Sequence, residues 1–206
     1  MYPIMLQLKN KKVVVIGGGA IAERKVLGLL PEKAKITVVS PTVTAELLKL
    51  AEAKNIQWHE KRFLKEDIQD AFLIFAATDD PSLNSEIKLA AKEGQLVYMA
   101  DHPDEADFKN PSLLKRGRLT ITVSTDGASP ILAKKIKQQL ESQFDERYES
   151  YLDFLFQKRQ WILKEIENPA LKRKLLIAIA QHEFFQTDNR EAEFEVLYGE
   201  LKDHFQ

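Results

Sequence analysis

The chain has 206 residues and a mass of 23.6 kDa, with 44% hydrophobic and 30% charged residues, which excludes a disordered, collagen-like or disulfide-stapled protein. It has no cysteine, so thiol nucleophiles and cysteine-ligated zinc are excluded too. Its 30 basic and 31 acidic residues are spread evenly, without the basic excess of a nucleic-acid-binding protein. No apolar run approaches the roughly 18 residues of a membrane span. The short apolar start, Met1 to Leu6, runs into Lys9-Asn10-Lys11-Lys12 without a small-residue cleavage site, so no targeting segment is expected. These features predict a cytoplasmic protein with no nucleic-acid and no membrane partner.

The first half alternates strands and helices. Strands are predicted at Lys12–Ile16, Lys35–Val39, Ile56–Glu60, Ala71–Ala77 and Gln95–Ala100. Helices are predicted between them at Ala20–Leu30, Thr44–Lys54 and Asn84–Lys92. This alternation implies a mostly parallel sheet with right-handed crossovers. After Asn110-Pro111 the pattern changes. One alternating strand, Arg118–Ser124, precedes helix-period stretches at Ile131–Phe144, Tyr148–Ile166, Ala170–Phe185 and Glu191–Phe205.

Gly17-Gly18-Gly19-Ala20-Ile21-Ala22 fits G-x-G-x-x-A between a strand and a helix. Gly17 would make the tight turn, Gly19 would admit a pyrophosphate to the backbone, and Ala22 would let helix and strand pack closely. The helix N-terminus offers unpaired N–H groups to the phosphates. The acidic residue that usually holds the ribose is absent; Ser40 stands there, followed by Pro41 and Thr42. The residues thus indicate a dinucleotide without choosing NAD over NADP. Arg24 and Lys25 read equally as a solvated or packed helix face and as phosphate contacts. Ala76-Ala77-Thr78 leaves room for a cofactor beyond the fourth strand, while Asp80 and Pro81 fit a helix start.

Asp101 follows the fifth strand and so faces the cofactor crevice, where a carboxylate can accept a proton or approach a metal ion. His102 reads as loop surface, and Asp104, Glu105 and Asp107 as a solvated loop. Further on, Ser129 and Pro130 form a helix start. Ser124 and Thr125 are not needed for that cap and are the better candidates for a ligand contact. His59, His182 and His204 have no partner at ligand spacing, so no metal site is expected. Trp58 and Trp161 read as packing residues.

Taken together, these motifs resemble the precorrin-2 dehydrogenase family, which includes the dehydrogenase–ferrochelatase part of sirohaem synthase. The resemblance runs from Tyr2-Pro3-Ile4 through the glycine turn with Arg24-Lys25 and through Ala76 to Asp80. Its last strong motif is Val123 to Ala133. It implies NAD-dependent oxidation of precorrin-2, a tetrapyrrole, to sirohydrochlorin in sirohaem synthesis. It also implies an N-terminal Rossmann-like domain (1–110), a central segment that helps form a homodimer (111–145) and a C-terminal helical domain (146–206). Residue by residue, Ala20 and Ile21 match one dinucleotide contact and Pro41 and Thr42 the other. Asp101 matches a functional aspartate, for proton removal, metal insertion or both. Ser124 and Thr125 match the turn that lines the active site. The chain stops at Gln206, so the methyltransferase domain of fused sirohaem synthases is expected to be absent. Two alternatives stay open: a bifunctional dehydrogenase and ferrochelatase, and an NAD-binding regulatory or redox-sensing module.

Overall fold

Five parallel strands form the framework of the first unit in a computed structural model that describes Met1–His204. They are β1 (Lys12–Ile16), β2 (Lys35–Val39), β3 (Gln57–His59), β4 (Leu73–Ala76) and β5 (Leu96–Met99), in the order β3-β2-β1-β4-β5. β1 is central, and Val13–Ile16 are all buried. Side chains alternate across a strand, so these residues serve two faces. Val13 and Val15 pack with Ala22, Val26 and Leu29 of helix α1 (Ala20–Leu29) and Leu47 of helix α2 (Ala45–Glu52). Val14 and Ile16 pack on the other face with Ile74, Val97 and Ile87 of helix α3 (Pro81–Ala90). This is the expected α/β architecture.

Two details differ from the predicted elements. β3 is only three residues long, since Gln57 and His59 are largely exposed at the sheet edge. The link from β3 to β4 carries a single 3-10 turn, Lys65–Ile68, whose Ile68 is buried against the sheet.

The second unit starts at Pro111. β6 (Ser112–Arg116) and β7 (Leu119–Val123) form an antiparallel hairpin. The sequence reading missed β6, because Ser-Leu-Leu-Lys-Arg has no clean alternation; its partner strand defines it. Gly117 turns the hairpin at φ +51°, and a methyl group there would meet Glu149 Cγ at 2.7 Å. Helices α4 (Pro130–Gln143), α5 (Arg147–Glu165), α6 (Pro169–Ala178), α7 (His182–Gln186) and α8 (Arg190–Asp203) follow. The single helix predicted over Ala170–Phe185 is two. Its break is held by the buried Tyr151 hydroxyl, which donates to the Ile179 carbonyl at 3.0 Å. Phe154, Ile162, Leu171, Leu175 and Phe194 form this unit's core. The last predicted helix reaches Phe205, which lies outside the described residues. No helix among the described residues is long and apolar enough to cross a membrane.

Candidate functional site

The strand order reverses between β1 and β4, and open parallel sheets bind ligands at the carboxyl ends of strands at such a point. The glycine turn lies there. Gly17 has φ +114°, donates its N–H to the Val39 carbonyl at 3.0 Å, and would place a Cβ 2.3 Å from the Ala77 carbonyl oxygen. The turn therefore seats directly on the loop after β4. Gly18 was not singled out in the sequence, yet it is the tightest position. A Cβ there would lie 1.9 Å from the Thr42 carbonyl oxygen, and the Gly18 carbonyl accepts from Thr44 N–H at 3.0 Å. The two expected dinucleotide-contact segments, 17–21 and 41–42, are thus joined through Gly18.

Gly19 is different. It caps α1 with no side-chain hydrogen bond, and a Cβ built on it meets nothing within 4 Å. Gly19 has no side chain to accept from the first-turn N–H groups of α1, which leaves them available to a ligand. A pyrophosphate fits this cradle: backbone donors, a helix N-terminus and no Cβ in the way. Ala20, Ile21, Pro41 and Thr42 are all exposed around it. Ala22, on the inner face of α1, is fully buried against the sheet, as its packing role requires.

Across the crevice, Thr78 is held by a residue the sequence did not flag. Asn84 of α3 is fully buried. Its Oδ1 accepts from Thr78 N–H at 3.2 Å and from the Thr78 hydroxyl at 2.8 Å, and its Nδ2 donates to the Thr78 carbonyl at 3.2 Å. An asparagine on the inner face of a helix was the available signal. Asp80 caps α3 through Ser82 and Leu83 N–H, with Pro81 in the first turn. The Ser40 carbonyl accepts from the Trp58 indole N–H at 3.0 Å, so Trp58 anchors the end of β2 as well as packing. Arg24 is exposed, whereas Lys25 is buried with its ammonium 3.8 Å from the Tyr98 ring centre. Lys25 is therefore a packed residue, not a phosphate contact.

Asp101 leaves the sheet beyond β5, the neighbour of β4. His102 N–H donates to its Oδ1 at 3.1 Å, and the His102 ring Nε2 lies 4.0 Å from its Oδ2. His102 is exposed in the loop, as expected, and its backbone and ring also lie beside the Asp101 carboxylate. Asp107 is also more than a solvated charge. It accepts from Val97 N–H at 2.8 Å and from the Lys88 ammonium, which pins the 101–107 loop to β5.

In the second unit Ser129 caps α4 as expected, accepting from Leu132 N–H at 3.1 Å. The reading that Thr125 is free of the helix start is corrected. Its hydroxyl donates to the Ser129 carbonyl at 3.0 Å and accepts from Ser129 N–H at 3.1 Å. Ser124 Oγ accepts from Asp126 N–H at 3.2 Å and keeps its own O–H to donate. No group of three or more metal-ligating side chains occurs among the described residues. A concavity of about 720 Å³ lies among Lys12, Lys35 and Asp70, where strands begin.

The family model for NAD(P)-binding matches residues 4–112, and that for the central part of sirohaem biosynthesis proteins matches residues 116–143. The chain is 39% identical to the precorrin-2 dehydrogenase of Priestia megaterium over 94% of its length and 96% of that protein. It is 38% identical to the precorrin-2 dehydrogenase of Bacillus subtilis over 78% of its length and 99% of that protein. A siroheme synthase of Nitrosococcus oceani is 33% identical over 93% of this chain, which spans 42% of that protein. The solved structure of SirC, a precorrin-2 dehydrogenase, superposes with a TM-score of 0.85 at 38% identity, covering 97% of this chain and all of that one. By sequence, by coverage and by fold, the chain belongs to the precorrin-2 dehydrogenase family.

Proposed function

We propose that the protein oxidises precorrin-2 to sirohydrochlorin with NAD, as a step of sirohaem synthesis. The observation that carries this is the open cradle at Gly19 with Asp101 two strands away along the same carboxyl edge. Neighbouring strands are about 4.8 Å apart, so that span is of the order of 10 Å.

NAD, when bound, takes up the hydride. Gly17 makes the turn, and Gly19, with the N–H groups of Ala20 and Ile21, holds the pyrophosphate. Pro41 and Thr42 flank a ribose, and Thr78, fixed by Asn84, borders the crevice. Asp101 accepts the proton that precorrin-2 loses along with the hydride. Ser124, with a free O–H, donates to a substrate carboxylate. Thr125, its hydroxyl engaged on Ser129, shapes that turn. The chain divides functionally into a cofactor domain (1–110), a dimerising segment (111–145) and a helical domain (146–206). Leu113, Ile131 and Leu132 are exposed on that central segment, which supports a homodimer. The site is a cytoplasmic one.

The test is anaerobic turnover of precorrin-2 with and without NAD, followed by the absorbance of sirohydrochlorin. Conversion only with NAD supports the reading. Absence of conversion while NAD still binds would replace it with a regulatory NAD-binding module. Siroheme synthases match 93% of the chain, so adding ferrous or cobalt ion at the end tests for metal insertion.

A further inference from the structure

We propose that His102 carries the proton away from Asp101 to solvent. The inference rests on Asp101 being the base, as proposed above. Three observations support it. Consecutive side chains usually diverge, yet the turn after β5 brings the His102 ring round to the Asp101 carboxylate, with Nε2 4.0 Å from Oδ2. The His102 N–H fixes Oδ1 at 3.1 Å, which leaves Oδ2 as the oxygen turned to the ring. The carboxylate side chain is recessed at 24% exposure, whereas the ring is 51% exposed and reaches water.

The other charges of the loop are engaged elsewhere. Asp104 lies 3.7 Å from the Lys109 ammonium, and Asp107 is bound to Lys88 and to Val97 N–H. Glu105 touches His102 only through the backbone, its N–H donating to the His102 carbonyl at 3.1 Å. Asp101 is therefore the carboxylate that the ring faces.

Precorrin-2 loses two electrons and two hydrogens. One hydrogen leaves as hydride to the nicotinamide, which is reduced. The other leaves as a proton to Asp101 Oδ2. The proton then passes to the His102 ring and from the ring to water, so that Asp101 returns to its ionised form. A separation of 4.0 Å is longer than a hydrogen bond, and one bridging water or a small side-chain rotation closes it. His102 thus acts through Asp101 and not on the substrate.

The experiment compares His102→Ala, His102→Gln and Asp101→Asn in dilute buffer and with added imidazole. NAD affinity and melting temperature are measured alongside turnover. Both His102 variants are expected to keep NAD affinity and melting temperature while kcat falls about a hundredfold, the low end of a positioned proton transfer. Imidazole should restore His102→Ala in proportion to its concentration. Asp101→Asn should be inactive and not rescued. Wild-type kcat for His102→Ala in dilute buffer, or a loss that imidazole does not restore, would overturn the relay while an inactive Asp101→Asn leaves the base in place. Full turnover by Asp101→Asn would remove the base, and the relay with it.

Discussion

At Gly17 the backbone sits at φ +114° and a methyl group would press on the Ala77 carbonyl oxygen at 2.3 Å, so Gly17→Ala is expected to destabilise the fold by about 2 kcal/mol or more. Gly19 has ordinary φ, −84°, and open space where a Cβ would go. Gly19→Ala should therefore melt at or slightly above the wild-type temperature, yet bind NAD at least about tenfold (about 1.4 kcal/mol) more weakly. Melting curves and an NAD titration on the two variants separate them. A Gly19→Ala protein with undiminished NAD affinity would refute the cradle. The roles of Gly17 and Gly19 were readable in the spacing alone. That of Gly18 was not, because its constraint is the Thr42 carbonyl, a contact from a separate loop. Asn84 was hidden for the same reason. Removing its side chain leaves Thr78 N–H without that partner, and Asn84→Ala should cost about 1–3 kcal/mol by denaturant unfolding. It should also raise KM for NAD.

Elements were legible where a pattern is local. The strands of the parallel sheet are runs of buried β-branched residues, such as Val13 to Ile16, and their period survives without tertiary information. β6 and the break between α6 and α7 were not legible, since each is made by a partner: β7 in one case and the Tyr151 hydroxyl in the other. That hydroxyl ties α5 to the carbonyls that end α6. Tyr151→Phe should lower stability by about 1 kcal/mol, the usual net value of such a bond. Burial also raises the pKa of Tyr151 above its ordinary value of 10.0. The folded state then holds its proton more tightly than the unfolded chain. Stability contributed by this group is present below about pH 10 and lost as the pH climbs through the raised value. Tyr151→Phe should flatten this alkaline loss in unfolding curves taken between neutral and high pH. An unchanged alkaline limb would mean that other groups cause it.

At the scale of the molecule, the two units have separate cores. The first brings the glycine turn, Thr78 and Asp101 to the carboxyl edge of its sheet, and the second holds the Ser124 turn ahead of α4. A hairpin of two strands is marginal alone; here β6 packs against α4, and Leu113 of β6 and Ile131 and Leu132 of α4 are exposed. If the proposed homodimer forms through this segment, Ile131→Lys shifts sedimentation from dimer to monomer with the unit's helical signal intact. A wild-type chain that sediments as a monomer at micromolar concentration would contradict the dimer. The family and its cofactor were legible because the glycine turn and the Ser129-Pro130 helix start are local motifs. The His102 contact was not, since only the turn after β5 shows that two adjacent side chains meet. The most direct measurement is anaerobic turnover of precorrin-2 by the wild-type chain, with and without NAD, followed by absorbance. NAD-dependent appearance of sirohydrochlorin is the expected result. Unchanged precorrin-2 in the presence of bound NAD would contradict it.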